Sequence, residues 1–501
     1  GLSATGIYDA NYRIYAVSPK AIKAGKKEAI AKFLDWMATD EGYKLIGWGI
    51  EGVNYSIDAN GDITDKNVPA DTKFSSPKGQ TVTQLRNMVF YNSALELGAR
   101  YPYYTTANGR RIGPMPYLKT FQSYPWINVT GAGTIAPSPN NADLVASALK
   151  DCGPDTARWN YENGLILHAV REASKRHLRS AYDSSLRQIA DILVSPDGSI
   201  AGYRHDEFNL DQINAGKFIF AMWKESGEER YRIAVERLMD QLTCQPRTAS
   251  GSFWHKKIYP NQIWLDGLYM FGPFCARYAA EFSRPELFQD LCAQFFHARE
   301  RMRDGVTGLY YHAMDESRLM GWSNPATGIS PHIWGRAVGW LSMALIDILD
   351  WLPESDPTRP DVIAMYKDLM EAALNAQDSS GLWFQILDMP GKPANYLEES
   401  ASAMFAYALF KGMRMGMLQP AVFAEPAGRA LAGICDRFVS RDATGQVHVG
   451  GICKVAGLGG NPYRDGSYAY YMSESVVSDD YKGTGPLILA LCEAVDMPVV
   501  L

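Results

Sequence analysis

The chain has 501 residues, of which 47% are hydrophobic and 21% charged, as in globular proteins that bury a large core. Its 49 lysines and arginines against 55 aspartates and glutamates give a formal net charge of −6, which argues against general binding to nucleic acid or anionic membranes. The 12 tryptophans and 28 tyrosines would suit a carbohydrate site.

The seven cysteines are odd in number and form no CxxC pair, which disfavours a disulfide framework or a structural zinc. Reduced thiols in the cytoplasm fit better. No apolar run reaches the length of a membrane span. The sequence starts without a signal-peptide pattern, so a removed signal, with an extracellular or periplasmic location, and a fragment both stay open.

The first part of the chain, residues 1–134, has a mixed α/β pattern. Short strand-like runs occur at Tyr12–Val17 and Tyr55–Asp58. One helix is predicted over Lys27–Leu45, because apolar residues recur there at helical spacing. This part therefore reads as a separate segment.

A junction rich in Gly, Pro, Ser and Asn follows, with the sequence GAGTIAPSPNN. We assign residues 135–141 to a linker and residues 142–501 to a second, helical domain. Twelve helices are predicted there, with uncertain ends, over residues 142–151, 160–174, 181–194, 209–226, 228–244, 262–283, 285–303, 331–352, 359–376, 397–417, 421–440 and 484–497.

The helices form six hairpins, with long loops rich in Gly, Trp, His and Asp at one end. Helices 4, 6, 8, 10 and 12 are more apolar and richer in Ala and Gly, as an inner ring packed on both sides should be. The fold class is therefore mainly α, with an (α/α)6 barrel preceded by a partial α/β segment. A plain all-α array is the alternative.

The strongest polar and aromatic cluster lies between Phe253 and Met270, in FWHKKIYPNQIWLDGLYM. It places His255, Trp264 and Asp266 in a loop and the first turn of the sixth helix. An aspartate there often only complements the helix dipole, and this alternative stays open. A carboxyl among aromatic rings is, however, poorly solvated, which suits a proton donor near neutral pH.

A second carboxylate, Asp211 in FNLDQI, holds a similar position at the start of the fourth helix. If both helices belong to the inner ring, Asp211 and Asp266 point at one mouth. The alternative is again an interaction with the helix dipole.

Arg336 and Trp334 lie in the segment SPHIWGRAVGW. An arginine one turn into an apolar helix is costly unless it is paired or faces a ligand, and its planar fork suits a carboxylate. Trp334 could stack on a sugar ring. The alternative is that Arg336 pairs with a structural Asp or Glu.

His312 in YYHAMDES and Tyr161 at the start of the second helix are less specific candidates for the same mouth. Structural packing is the alternative for both. The glycine-rich residues 450–468 are interpreted as a lid or rim loop. The sequence contains no HExxH, GxSxG or GK[ST] motif, so no metal and no cofactor is expected.

Six segments carry a family pattern in order: NLDQINAGK, FWHKKIYPNQIWLDGLYM, GLYYHAMDES, SPHIWGRAVGW, NYLEESASAMF and ICKVAGLGG with PYRDGSYAYY. Together they resemble the unsaturated rhamnogalacturonyl hydrolases, glycoside hydrolase family 105, related to the family 88 unsaturated glucuronyl hydrolases. The resemblance covers about residues 142–501 and implies an (α/α)6 barrel.

The resemblance also implies a reaction and roles for residues. The substrate is a pectin-derived disaccharide with a terminal 4,5-unsaturated galacturonic acid. The implied reaction hydrates the double bond of that sugar and is not an ordinary displacement at the glycosidic carbon. Asp266 is the implied acid and base, and Asp211 the supporting carboxylate. The implied substrate-binding residues are Tyr161, His255, Trp264, His312, Trp334 and Arg336.

Residues 1–134 resemble the C-terminal part of solute-binding proteins of carbohydrate ABC importers, through FLDWMATDEGYKLIGWGIEGVNY and NMVFYNSALELGARYP. A functional link to such an importer is therefore an expectation. Two other functions stay open: an unsaturated glucuronyl hydrolase acting on glycosaminoglycan fragments, and a non-catalytic sugar-binding or transport-associated protein.

Overall fold

The structure, a computed structural model, describes residues 141–178 and 181–496 and short stretches of the preceding chain. The chain divides into two units, Gly1–Pro125 and Trp126–Leu501. The predicted strand Tyr12–Val17, the predicted helix Lys27–Leu45 and residues 136–140 of the predicted linker lie outside the described residues. The shorter described stretches are residues 50–53, 55–57, 63–64, 104–105, 111–112, 128–130 and 133–135.

In the first unit, the described residues include one four-stranded sheet in the order β1-β2-β3-β4. Strands β1 and β2 are antiparallel, β2 and β3 parallel, and β3 and β4 antiparallel. The strands are β1 (Ser56–Ile57), β2 (Ile63–Thr64), β3 (Tyr104–Thr105) and β4 (Arg111–Ile112).

The second unit begins with a hairpin and continues as helices. The hairpin pairs β5 (Asn128–Thr130) with β6 (Gly133–Ile135). The helices are α1 (Asn141–Asp151), α2 (Tyr161–Arg176), α3 (Asp183–Leu193), α4 (Gly216–Ser226), α5 (Glu229–Thr243), α6 (Leu265–Glu281), α7 (Glu286–Met302), α8 (Gly335–Ile348), α9 (Arg359–Asn375), α10 (Glu399–Arg414), α11 (Pro420–Phe438) and α12 (Tyr481–Asp496).

The even-numbered helices form a closed inner ring: α2 contacts α4, α4 contacts α6, and so on through α8, α10 and α12, which returns to α2. All fourteen residues of α8 are buried, because the odd-numbered helices cover its outer side and the ring encloses its inner side. A helix surrounded in this way is expected to be largely apolar, and its two buried charged side chains, Arg336 and Asp347, are both ion-paired. The predicted (α/α)6 barrel is confirmed.

Ion pairs across the last gap of the ring join α12 to α2. At one end, Lys482 Nζ lies 2.9 Å from Glu162 Oε1. At the other end, Arg176 Nη1 lies 2.8 Å from Glu493 Oε1, and Arg176 also pairs with Asp496. Each pair joins like ends of the two helices, so α12 and α2 run in the same direction.

Short antiparallel strand pairs join the long loops to one another near the starts of the inner helices. Strand β7 (Gln262–Trp264) pairs with β8 (Ala313–Asp315), and Leu265 N–H donates to the His312 carbonyl at 3.2 Å. The other pairs join β9 (Trp383–Phe384) to β10 (Leu397–Glu398), β11 (Val439–Arg441) to β12 (Val447–Val449), and β13 (Ile452–Cys453) to β14 (Val476–Val477).

Three predicted helices start three or more residues later than expected. The eighth begins at Gly335 instead of residue 331, because Trp334 before it is extended. The other two are the fourth and the sixth. The fourth is divided into a 3-10 helix, Leu210–Ile213, and α4, because the Asn209 side chain accepts a hydrogen bond from Asp211 N–H at 3.0 Å and caps the short turn. The sixth begins at Leu265, since the preceding three residues are held in β7. A short helix, Tyr468–Ser473, was not predicted.

In the described part of the chain, none of the helices has the length and apolar character needed to cross a bilayer.

Candidate active site

The predicted site residues lie at the starts of the inner helices, where the long loops meet. Tyr161 is the first residue of α2, Asp266 the second of α6 and Arg336 the second of α8. Asp211 lies in the 3-10 turn before α4. Because the inner helices run in the same direction, these four residues share one mouth of the barrel.

A stack of three rings forms one wall of the mouth. The indole of Trp264 lies between the His255 imidazole, with centroids 5.0 Å apart, and the Tyr259 ring, with centroids 5.3 Å apart. Its Nε1–H donates to Gln262 Oε1 at 3.0 Å. With both faces covered, Trp264 meets the site through its edge, and the edge contacts His312 at a centroid distance of 5.1 Å.

Asp211 is an ion-paired carboxylate. Lys256 Nζ lies 2.5 Å from its Oδ2, and His255 Nε2 lies 3.4 Å from its Oδ1. Burial opposes ionisation of Asp211, but the charge of Lys256 and the hydrogen bond that Lys256 donates lower the pKa of Asp211 below the ordinary value. At neutral pH, Asp211 is therefore a fixed negative charge and not a proton donor.

His255 is a neutral imidazole at neutral pH. Burial lowers its pKa to about 4, although the charge of Asp211 opposes that effect, and Lys256 beside it disfavours a second cation. Its role is to pack against Trp264 and to meet Asp211.

Asp266 has a different environment from Asp211. Its Oδ2 is buried and lies 3.5 Å from His312 Nε2, and neither atom has a hydrogen-bond partner among the described residues. The side chain is 15% exposed, so Oδ1 is the oxygen available to a ligand. No Lys or Arg lies within ion-pair distance of Asp266 in the described part of the chain.

Tyr161 is brought to the same centre. Burial raises the pKa of its phenol well above the ordinary value, and the charges of Glu162, Asp211 and Asp266 raise it further while Arg336 lowers it. The Asn214 side chain donates to the Tyr161 carbonyl at 2.8 Å, which joins the start of α2 to the chain just after the turn that holds Asp211. The structure thus brings together the residues that the sequence predicted.

Arg336 is buried, with 1% of its surface exposed, and makes several contacts within the protein. Its Nε–H donates to Ser400 Oγ at 2.7 Å, and its Nη2 pairs with Glu398 Oε1 at 3.3 Å and with the Cys453 carbonyl. This is the structural pairing that the sequence left open as an alternative. The Trp334 ring lies 5.3 Å from the guanidinium carbon.

Glu399, next to Glu398, is a buried carboxyl whose two oxygens have no hydrogen-bond partner among the described residues. Burial raises its pKa well above the ordinary value, and the neighbouring Glu398 charge adds to the effect. Glu399 therefore resists ionisation more than an ordinary carboxyl does, and Glu398 is the carboxylate that forms the ion pair with Arg336.

Trp334 and His312 complete the inner wall of the mouth. Their ring centroids lie 4.6 Å apart, and Trp334 Nε1–H donates to Gln385 Oε1 at 3.1 Å. On its other side, His312 Nδ1 lies 2.8 Å from the Tyr471 hydroxyl. Trp334 is 1% exposed and His312 is fully buried, so both support the site from behind.

The sequence did not single out Lys256, Tyr259, Glu398 or Tyr471. A signal for Lys256 is its place beside His255 in the polar cluster, and one for Glu398 is the need of Arg336 for a carboxylate. Tyr471 lies in the aromatic run SYAYY, but nothing in the sequence indicates its contact with His312, 159 residues away. Within residues 141–178 and 181–496, His, Cys, Asp and Glu side chains form no cluster suited to a metal ion.

Replacing Lys256 with methionine is expected to raise the pKa of Asp211, because the burial that opposes ionisation then acts without its main opposing charge. In the wild type, the Lys256–Asp211 pair stabilises the folded protein fully at pH values above the pKa of Asp211 in the unfolded chain. This stabilisation is lost as the pH falls through the lower pKa that Asp211 has in the folded protein. The measurement is an NMR titration of the Asp211 carboxyl carbon. Lys257→Met is the matched control, since Lys257 Nζ contacts the Asp206 carbonyl instead. An equal shift in both variants would contradict the assignment.

Comparisons with known proteins identify the family of the helical domain. The model of Glycosyl Hydrolase Family 88 matches residues 143–498. The unsaturated rhamnogalacturonyl hydrolase YesR of Bacillus subtilis is 30% identical over 284 residues, which cover 56% of this chain and 76% of YesR.

Two solved structures are also similar. A family 105 glycoside hydrolase of C. acetobutylicum has 41% identity and a TM-score of 0.68, covering 70% of this chain and 98% of the other. The unsaturated glucuronyl hydrolase of Bacillus sp. GL1 has 16% identity and a TM-score of 0.52, covering 70% and 94%, which is a likeness of fold.

Proposed function

The chain belongs to Glycosyl Hydrolase Family 88, and on that basis we propose that its barrel removes a terminal 4,5-unsaturated galacturonic acid from rhamnogalacturonan oligosaccharides by hydrating the double bond. The observation that carries the proposal is the contrast between its two carboxylates. Asp211 is held ionised by Lys256, whereas Asp266 contacts only His312 among the described ionisable partners. One fixed charge and one exchangeable proton are what hydration of an enol ether requires.

The reaction follows from these two groups. Asp266 Oδ1 donates a proton to C4, and positive charge develops at C5 and the ring oxygen. The fixed charge of Asp211 stabilises that cation in a site where the protein excludes most water. A water molecule then adds to C5 and returns a proton to Asp266. The resulting hemiketal opens, the glycosidic bond breaks, and the neighbouring sugar is released with one water consumed.

The mouth also suits an anionic sugar. Six inner helices begin there, and helix N-termini carry partial positive charge that favours anions. Arg336 and Lys256 lie at the same mouth, each paired with a carboxylate of the protein, Glu398 and Asp211 respectively. We propose that the sugar packs against the wall of His255, Trp264 and Tyr259 and near the Tyr161 hydroxyl.

Arg336 and Trp334 have a more indirect part in this proposal than the sequence indicates. Each is 1% exposed, and each is engaged by other side chains. We propose that Arg336 acts on the substrate carboxylate through its field, and that Trp334 holds His312 and the guanidinium in place.

The test is incubation with fragments generated by a pectin lyase. Loss of the ultraviolet absorbance of the enol ether, together with release of the neighbouring sugar, is the expected result. Unchanged absorbance with measurable binding would instead support a non-catalytic sugar-binding protein. Faster turnover of unsaturated glucuronyl oligosaccharides, assayed side by side, would assign the glycosaminoglycan-type substrate.

We propose that residues 1–134 are a separate solute-binding-protein-like segment, linked in function to a carbohydrate ABC importer, with a linker at 135–141. The match to the family over residues 143–498 supports a barrel that is complete without it. A chain lacking residues 1–125, the first unit, is therefore expected to keep kcat/KM for the unsaturated disaccharide within about two-fold, since the β5–β6 hairpin and the first-turn residues all lie beyond the cut. An insoluble or inactive product would show that this segment completes the barrel.

A cytoplasmic location is proposed from the thiols. Five cysteines of the barrel, four of them buried and one exposed, form no disulfide, as expected in a reducing compartment. These are Cys152, Cys244, Cys275, Cys292 and Cys453.

A further inference from the structure

Tyr471 reaches the catalytic centre from a distant part of the chain. It lies on the short helix Tyr468–Ser473, and its hydroxyl lies 2.8 Å from His312 Nδ1. Both side chains are fully buried. The opposite nitrogen of the same imidazole, Nε2, lies 3.5 Å from Asp266 Oδ2. The three side chains therefore form a line from Tyr471 through His312 to Asp266.

The two ends of this line determine which imidazole nitrogen carries the proton. A carboxylate oxygen accepts hydrogen bonds, so Asp266 Oδ2 favours a proton on His312 Nε2. Nδ1 of the neutral ring is then an acceptor and needs a donor. The Tyr471 hydroxyl is a suitable one, because burial raises the pKa of its phenol well above the ordinary value, and it keeps its proton.

We propose that Tyr471 is a positioning residue for the reaction. Its hydroxyl donates a hydrogen bond to His312 Nδ1 and so fixes the imidazole with its Nε2–H directed at Asp266 Oδ2. The inference deepens the proposed function and rests on it.

The consequence for Asp266 is a choice between its two oxygens. When Oδ2 accepts the Nε2–H bond, the transferable proton must reside on Oδ1, the oxygen available to a ligand. With the other tautomer, Nε2 would accept the acid's proton from Oδ2 and hold it away from the substrate. The 3.5 Å separation is long for a hydrogen bond, as is common for catalytic groups without substrate, and it can shorten on binding.

The kinetic test compares Tyr471→Phe with Tyr470→Phe. The matched control removes the neighbouring hydroxyl of the same helix, which accepts a hydrogen bond from Gly457 N–H at 2.9 Å and does not contact His312. Tyr471→Phe is expected to lower kcat about 10-fold or more with KM nearly unchanged, because tautomer control serves proton transfer and not binding. Tyr470→Phe is expected to retain wild-type kcat. Equal losses in both, or a rise in KM alone for Tyr471→Phe, would overturn the proposal.

Two further measurements separate tautomer control from a packing defect. In a His312→Ala background, adding Tyr471→Phe is expected to cause no further loss of kcat, whereas additive losses would contradict action through His312.

In nitrogen-15 NMR spectra, His312 of the wild type is expected to show a protonated Nε2 and an unprotonated Nδ1, and Tyr471→Phe is expected to give a mixture of the two tautomers. A wild-type Nδ1–H would refute the proposal. The spectra need no turnover, so an inactive wild type would refute the proposed function alone.

Discussion

Replacing Asp266 with asparagine is expected to lower kcat on the unsaturated disaccharide by about 10²–10⁴-fold, because the amide cannot donate and recover a proton. The substitution keeps the size and planarity of the side chain. Asparagine also leaves the His312 contact available through its amide oxygen. Folding is therefore expected to stay intact. Absorbance at the enol-ether band measures the loss, and circular dichroism checks the fold.

Asp361→Asn is the matched control for this experiment. Asp361 also lies in the first turn of a helix, the outer helix α9, so it shares the dipole interaction that could explain Asp266 without catalysis. The control is expected to keep full activity. An Asp266→Asn protein as active as the Asp361→Asn protein would reduce Asp266 to a partner of the helix dipole.

Replacing Arg336 with alanine is expected to destabilise the fold by about 3–5 kcal/mol, because it leaves Glu398 as an uncompensated buried charge. Glu398 is fully buried, and its buried neighbour Glu399 is also a carboxyl, so it cannot replace the lost guanidinium. Arg336 also supplies a hydrogen bond to Ser400 and one to the Cys453 carbonyl. Urea unfolding, followed by circular dichroism, measures the change.

The double variant Arg336→Ala with Glu398→Gln tests the pair. Glutamine keeps an oxygen that can accept the Ala401 N–H at the start of α10 but carries no charge. The double variant is expected to lose less stability than the sum of the two single variants. If Arg336→Ala unfolds at the wild-type urea concentration and only raises KM, Arg336 is a substrate ligand, as the sequence first indicated.

The architecture was predictable because each level of the sequence agrees with it. Helical spacing of apolar residues marks all twelve helices between residues 141 and 496, and the apolar character of alternate helices marks the inner ring. The helix starts were harder to predict. Tertiary pairing of β7 with β8 holds the residues before Leu265 extended, and a local cap at Asn209 separates Asp211 from α4.

The site was predictable as a set of residues but less so as a set of contacts. Asp266 stands out because it lies among aromatic residues at a helix start, and Asp211 because it holds a similar position at the start of another predicted helix. Their different environments depend on Lys256 and His312, and those contacts form only when separate loops meet. Likewise, Arg336 and Glu398 are 62 residues apart, and no local pattern joins them.

The ring is completed by its last helix, and this sets an order of events during synthesis. Lys482 of α12 and its partner Glu162 of α2 are separated by 320 residues. At about 5–20 residues per second, a ribosome needs on the order of tens of seconds between the two. During that interval, the facing sides of α2 and α10 lack the helix that covers them. The nascent chain is therefore most exposed to aggregation, and most in need of chaperones, just before α12 emerges.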